Sequence, residues 1–335
     1  MDYAEAQRYL LSLTDYEKLP GAFAAANFDP RRMEAVLQPL GSPHRQGRFV
    51  HIAGTKGKGS TAAMIAAALT AAGYRTGLYT SPHLHTIRER IQVDGSLITP
   101  AELTALTERV KAAVEVASSG PWGVPSTFEA LTAIAFLHFQ QAGTQWAVLE
   151  VGLGGRLDAT NVVIPRVAVI TSISYDHTEV LGPTLAHIAR EKAGIIKAGV
   201  PAVVAPQPLA GEEALGVIRE ACRERGSPLT LVGREVTYRE VSAGLEGQRV
   251  RVAGRRGNYD LFIPLLGEHQ QENAATAVAA LEWLMDEAPG LTPQAVSRGL
   301  GAVSWPGRLQ VIGRSPLMVV DGAHNGDSAR RLRQS

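Results

Sequence analysis

The run Gly54-Thr55-Lys56-Gly57-Lys58-Gly59-Ser60 lies between a short apolar stretch, residues 48–53, and an alanine-rich stretch that reaches about residue 72. Strand, glycine loop and helix in that order are the context a phosphate-binding loop requires. Glycines let backbone N–H groups close around phosphate oxygens, the helix N-terminus favours negative charge, and Lys58 can reach the β/γ oxygens. A plain glycine-rich turn is the competing reading, and the register of strand, loop and helix speaks against it. The run departs from the usual pattern twice: position 52 is not glycine, and Gly59 separates Lys58 from Ser60. The hydroxyl directly after the lysine ordinarily holds magnesium, so another hydroxyl and a carboxylate must contribute here.

The other apolar segments alternate in the same way, β-type runs between helical ones, which is the pattern of a parallel α/β sheet. Strands are expected at 48–53, 76–79, 145–151, 167–171 and 202–205, with Glu150 at the end of the third. Helices are expected at about 60–72, 127–141, 183–197 and 270–285. Thr99, Pro100 and Glu102 supply a cap, a first-turn proline and a capping-box glutamate for another. Residues 236–264 alternate with turns, as an antiparallel flap on the sheet would; 304–307 reads as a hinge and 317–320 as a strand beyond it.

At 335 residues, 45% hydrophobic and 19% charged, the chain suits two globular domains with a real core. A net charge of +1 leaves no basic excess to neutralise nucleic-acid phosphates. Residues 1–13 carry Asp2, Glu5 and Arg8 among apolar positions and read as an amphipathic helix, not a signal peptide. No apolar run approaches the ~20 residues of a membrane span. Cys222, the lone cysteine, rules out an internal disulfide framework and fits a reducing compartment, so the cytoplasm is expected. Arginine fills 27 of the 33 basic positions, and four of the six lysines fall in two segments, Lys56/Lys58 and Lys192/Lys197. Lysine kept where arginine prevails points to a compact charge or a nucleophilic amine; ordinary surface residues are the alternative.

Candidates for the missing magnesium ligands stand at the ends of neighbouring strands, Ser81 in Tyr79-Thr80-Ser81-Pro82-His83 and Glu150 in Leu149-Glu150-Val151-Gly152. The carboxyl ends of parallel strands gather at one edge, where ligands bind. A glutamate closing an apolar strand needs a partner, and a hard cation is a good one. A third segment holds Asp176, His177, Leu181 and Gly182, followed by Glu191 and Lys192. Alone, His177 would read as a structural histidine and Lys192 as a solvated helix residue.

Taken together these segments resemble the folylpolyglutamate and dihydrofolate synthases of the Mur ligase superfamily. The resemblance runs from Leu10 to the end of the chain. It rests on seven motifs in order: the glycine run, Thr80 to His83, Glu150 to Gly155, Asp176-His177 with Leu181-Gly182, Glu191 to Lys197, Trp305 to Arg308, and Asp321-Gly322-Ala323-His324-Asn325. It implies an enzyme that uses ATP and Mg²⁺ to add L-glutamate to dihydropteroate or a reduced folate through an acyl phosphate. Gly54, Thr55, Gly57, Lys58, Gly59 and Ser60 would hold the phosphates, with Lys58 catalytic. Ser81 and Glu150 would hold one Mg²⁺, and His177 would help to hold a second. Lys192 matches a lysine that CO₂ carbamylates in this family, which arginine could not replace. Asn273 matches an adenine contact, Arg308 a phosphate-binding arginine, and Asp321 and His324 ribose and adenine contacts. Lys56 stands where many relatives carry asparagine and receives no catalytic role.

By the same resemblance Phe128 meets the pterin, although it reads nearly as well as a core phenylalanine. The form of residues 155–161 is that of the bifunctional synthases, in which Asp158 contacts the pterin. The expected architecture is a Mur-type, phosphate-loop α/β domain with an antiparallel flap over residues 1–303. A hinge and the start of a Rossmann-like C-terminal domain follow over 304–335. Family members continue through a complete second domain after Asp321 to Asn325, so residues beyond about Arg308 are expected to pack poorly and turnover to be low. A monomer is expected, acting on small molecules and not on nucleic acid or membrane. Two alternatives stand beside this reading: a cell-wall amino-acid ligase of the Mur type, and an ATP-binding relative without turnover.

Overall fold

The computed structural model describes residues 1–16, 29–323 and 326–334. Eight strands form the main sheet: β1 (Phe49–Ala53), β2 (Thr76–Tyr79), β3 (Ile91–Val93), β4 (Ser96–Leu97), β5 (Trp146–Glu150), β6 (Val167–Ile170), β7 (Ala202–Val204) and β8 (Leu229–Leu231). Their order is β4-β3-β2-β5-β1-β6-β7-β8, parallel from β2 to β8 with β3 and β4 antiparallel at one edge. The helices are α1 (Tyr3–Ser12), α2 (Pro30–Leu37), α3 (Lys58–Ala71), α4 (Pro100–Ser118), α5 (Thr127–Gln141), α6 (Thr178–Leu181), α7 (Leu185–Ala193), α8 (Gly211–Glu224), α9 (Glu268–Leu284), α10 (Pro293–Gly301) and α11 (Gly326–Gln334).

Side chains of a strand alternate between the faces of its sheet, and the cores follow that period. Val50, Ile52, Val148, Val167, Val169 and Val203 bury one face beneath α3, α9 and α10. Phe49, Ala147 and Leu149 bury the other beneath α4 and α5, while Ala53, Ala168 and Ile170 do so beneath α7 and α8. α3 is apolar all round because it lies between the sheet and α9/α10; a Cβ at Gly299 of α10 would come within 2.4 Å of the Ala68 Cα. Reciprocal capping boxes start three helices, Asp2/Glu5 on α1, Thr99/Glu102 on α4 and Ser126/Glu129 on α5. Each such cap is worth about 1 kcal/mol.

The expected flap is present as an antiparallel sheet of β9 (Thr237–Gly244), β10 (Gly247–Ala253) and β11 (Asn258–Ile263), with Val250, Val252, Tyr259 and Leu261 in the α9 core. One difference from the sequence reading has a physical cause. The helix expected over 183–197 spans only Leu185–Ala193: from Gly194 to Ile196 the N–H groups bond to carbonyls three residues back instead of four, where Gly194 packs against Arg156. Residues 304–307 hold Trp305 against the α3 core, its ring pressed on Gly59. The strand expected at 317–320 is present as β13 (Leu317–Val320); it pairs antiparallel with β12 (Gln310–Arg314) and, as expected beyond Arg308, leaves all four of its side chains exposed. No helix among the described residues is long and apolar enough to cross a membrane.

Candidate active site

β1 lies between β5 and β6, so the loop that leaves it has the ends of two parallel strands on either side. That edge is where ligands bind in open parallel sheets. The loop is fixed to the β6 side: the Thr55 and Lys56 N–H groups both donate to the Ser172 carbonyl, at 2.9 and 3.2 Å. Gly54 and Gly57 have positive φ, and neither has space for a side chain, since a Cβ would meet Thr171 Oγ1 at 1.8 Å and Asn273 Oδ1 at 2.3 Å. Lys58 opens α3 directly after Gly57, so free N–H groups of the first helical turn face the loop. Beside it lies a cavity of about 580 Å³, within the range of small-molecule sites.

Glu150, at the end of β5, is buried, and its Oε2 accepts from the Ser81 N–H at 3.1 Å. Lys58 Nζ is 4.0 Å from Glu150 Oε1. Carboxylate, serine and lysine therefore meet at one corner of the cavity. On the β6 side, Lys56 Nζ lies 3.2 Å from Asp176 Oδ2, and His177 Nε2 lies 3.9 Å from Asp176 Oδ1. His177 has φ +48°, which points its half-exposed ring into the cavity wall from the cap of α6. Burial, opposed by Asp176, and the nearby lysines hold its pKa below the ordinary histidine value, so the neutral, ligand-competent imidazole prevails. Asp176 is held below the usual carboxylate range, chiefly by Lys56 against the opposing effect of its own burial.

Lys192 is not part of the cavity wall. It is buried behind the loop, where its Nζ donates to the Gly54 carbonyl at 2.9 Å. Burial, then Lys58, push it down to about 7, so a large fraction of its amine is neutral at physiological pH.

Phe128, on the first turn of α5, lines the same cavity, with its ring close to Gly152 and 5.7 Å from the Tyr79 ring. Asp158 also lines the cavity, but its oxygens accept from the backbone of Leu153 and Thr160 and from the Thr160 hydroxyl. Desolvation raises its pKa against those hydrogen bonds. Its first task is thus to shape the loop after β5. Asn273 packs on Gly57 and donates to Gln270. Ser60, Arg308 and Asp321 line the cavity, and both Asp321 oxygens accept backbone N–H groups, from Leu309 and Ala323. His324 lies outside the described residues.

Several cavity residues escape a motif search. Gln270 donates to Ser60 Oγ at 3.4 Å, and His269 stands beside it on α9. Arg90 is buried, lines the cavity and donates to His83 Nδ1 at 2.9 Å. Each sits in a stretch whose apolar period marks it as ordinary helix or edge strand. The pair His269-Gln270, four and three residues before Asn273, was the available signal. His51, in the middle of β1, is fully buried and donates to or accepts from Thr160 Oγ1 at 2.8 Å, behind Asp158.

Comparison with known proteins agrees with this geometry. Residues 52–281 match the Mur ligase middle domain, which defines the class as an ATP-dependent ligase of the Mur type. The dihydrofolate synthase/folylpolyglutamate synthase of Bacillus subtilis is 40% identical over 308 residues, covering 91% of this chain and 71% of its own length. A probable bifunctional folylpolyglutamate synthase/dihydropteroate synthase of Halobacterium salinarum is 41% identical over 97% of this chain, which spans 38% of that relative. A solved complex of folylpolyglutamate synthase with AMPPCP and folate superposes with a TM-score of 0.90 at 38% identity, covering 99% of this chain and 79% of that one. The chain belongs to the folylpolyglutamate synthase/dihydrofolate synthase family, Mur-type ligases that use ATP to add glutamate to folates.

Proposed function

We propose that this protein passes the γ-phosphoryl group of ATP to the carboxylate of dihydropteroate or a reduced folate and joins that carboxylate to the amine of L-glutamate. The observation that supports it best is that Lys58, Ser81 and Glu150, which meet at one corner, line a single cavity together with Phe128 and Asp158. Phosphates and a flat apolar ring system would then meet within it. The backbone of Gly54 to Ser60 and the Lys58 ammonium hold the β/γ phosphates, while Asn273, Arg308 and Asp321 stand on the nucleoside side. His324, by its motif, belongs with them.

The donor set suits magnesium. One buried carboxylate and one serine are few ligands, and no group of three acidic, histidine or cysteine side chains that could hold a metal occurs among the described residues. Mg²⁺ needs no more, since it binds through one or two carboxylates and completes its shell with substrate phosphates and water. Ser81 and Glu150 would hold one ion and His177 would contribute to a second. When bound, the ions neutralise charge on the transferring phosphoryl group. Lys192, largely desolvated and partly neutral, is the amine suited to carbamylation by CO₂; its carbamate oxygens would serve the second ion. Trp305, pressed on Gly59, covers the start of α3 behind the phosphate loop.

Both synthase activities are proposed because the loop over 155–161 has the bifunctional form and the Bacillus subtilis relative bears both names. A reducing cytoplasm is proposed on the lone, buried Cys222 and the ATP requirement, and a monomer is proposed with it. Incubation with ATP, Mg²⁺ and labelled glutamate tests the reading, with dihydropteroate or tetrahydrofolate as the acceptor. Label should enter both acceptors. Entry into neither, with nucleotide still bound, would leave a nucleotide-binding protein without turnover; label in a cell-wall nucleotide instead would make it a different Mur-type ligase.

A further inference from the structure

The phosphate loop carries two lysines, and only Lys58 has a role in the reading above. Because β1 lies between β5 and β6, a carboxylate stands on each side of the loop. Glu150 closes β5 and faces Lys58 at 4.0 Å; Asp176 follows β6 and faces Lys56 at 3.2 Å. Both lysines and both carboxylates line the same cavity. Gly57, with φ +88° and locked beneath Asn273, turns the chain so that the two side chains leave toward opposite flanks. The Lys56 backbone is tied to Ser172, so its side chain starts from a fixed point, and its half-buried ammonium is aimed by Asp176.

We propose that Lys56 is a further catalytic residue: its ammonium, steered by Asp176, contacts the terminal phosphate of ATP from the side of the loop opposite Lys58. The inference rests on the reading that the loop binds ATP. A structural clamp is the simpler role for such a pair, but a clamp would not need the access to the cavity that both side chains keep, at 18% and 25% exposed. It would also serve equally well with arginine, which this chain uses at 27 of its 33 basic positions. Lysine offers a compact, freely rotating charge able to follow a phosphoryl group as it moves toward the acceptor. Two ammonium groups on opposite flanks would hold the terminal phosphate in line while charge develops on its equatorial oxygens.

The test compares Mg²⁺–ADP with a non-hydrolysable Mg²⁺–ATP analogue by calorimetry on the wild type, Lys56→Met, Lys56→Asn and Lys56→Arg. Loss of Lys56 should weaken the analogue about tenfold or more and ADP less than twofold, and should lower kcat at saturating ATP. Lys56→Arg should recover part of the analogue affinity. Lys56→Asn supplies the residue many relatives use, so it carries the comparison if Lys56→Met does not fold. Equal weakening of both nucleotides, or no change in either, would overturn the proposal and leave the pair as a clamp. A wild type that binds neither nucleotide would instead overturn the ATP reading on which it rests.

Discussion

At the scale of single residues the site depends on groups placed where burial would otherwise penalise them. Glu150 is 5% exposed at a strand end, with a serine N–H and a lysine as neighbours. Glu150→Gln keeps its size but makes a far weaker magnesium ligand. Ligation should fall at least tenfold, about 1.4 kcal/mol of barrier, with an unchanged circular-dichroism spectrum; a variant that keeps more than a tenth of wild-type kcat would remove Glu150 from the metal site. His51 gives a prediction in pH. Its burial, then Lys197, push its pKa down to about 3 from 6.5. Below pH 6.5 the unfolded chain takes up a proton that the folded chain refuses. The contribution of neutral His51 is therefore complete above pH 6.5 and falls by about 1.4 kcal/mol per unit down to pH 3. His51→Gln should be the less stable protein at pH 7.5, and the gap should close by about 2 kcal/mol at pH 5 in urea titrations. A gap independent of pH would mean that His51 takes up its proton in the folded state at the same pH as in the unfolded chain.

At the scale of elements, α3 is held by the close approach of α10, which Gly299 permits. Gly299→Ala would set a Cβ 2.4 Å from the Ala68 Cα and should cost about 1–3 kcal/mol in chemical denaturation. Nucleotide affinity should stay at the wild-type value, since the phosphate loop lies at the far end of α3; a tenfold loss would show that the α10 contact sets the loop. Elements of this kind divide sharply in how far they could be read. The β1–loop–α3 unit, the buried β5 and β6 and the helix over 127–141 were legible because apolar runs of fixed period end in glycines or caps. The β3–β4 edge, α8, β8 and α10 were not: the two edge strands hold three and two residues, and α8 has the mixed surface of a half-exposed helix. The strand β12 was missed because Gly313 and a register shift break its alternation. The site shows the same division. Lys58, Ser81 and Glu150 were visible as motif positions, while Arg90 and Gln270 act only once the fold brings them to the cavity. That Asp158 spends its oxygens on its own loop is a three-dimensional fact no spacing contains.

At the scale of the whole molecule, one cavity is lined both by the glycine loop with Lys58 and by Phe128, and the account stands on a phosphoryl group passing within it from ATP to the acceptor carboxylate. The transfer leaves an atomic record. If ATP phosphorylates the acceptor carboxylate, attack by the glutamate amine expels phosphate carrying one oxygen from that carboxylate. The most direct measurement uses an acceptor folate with ¹⁸O in its reacting carboxylate, together with ATP, Mg²⁺ and L-glutamate, and weighs the released phosphate. One ¹⁸O per phosphate, matched by one glutamate joined, is the predicted result at whatever rate the protein works. Phosphate without label, released while glutamate is joined or in the absence of any acceptor, would contradict it.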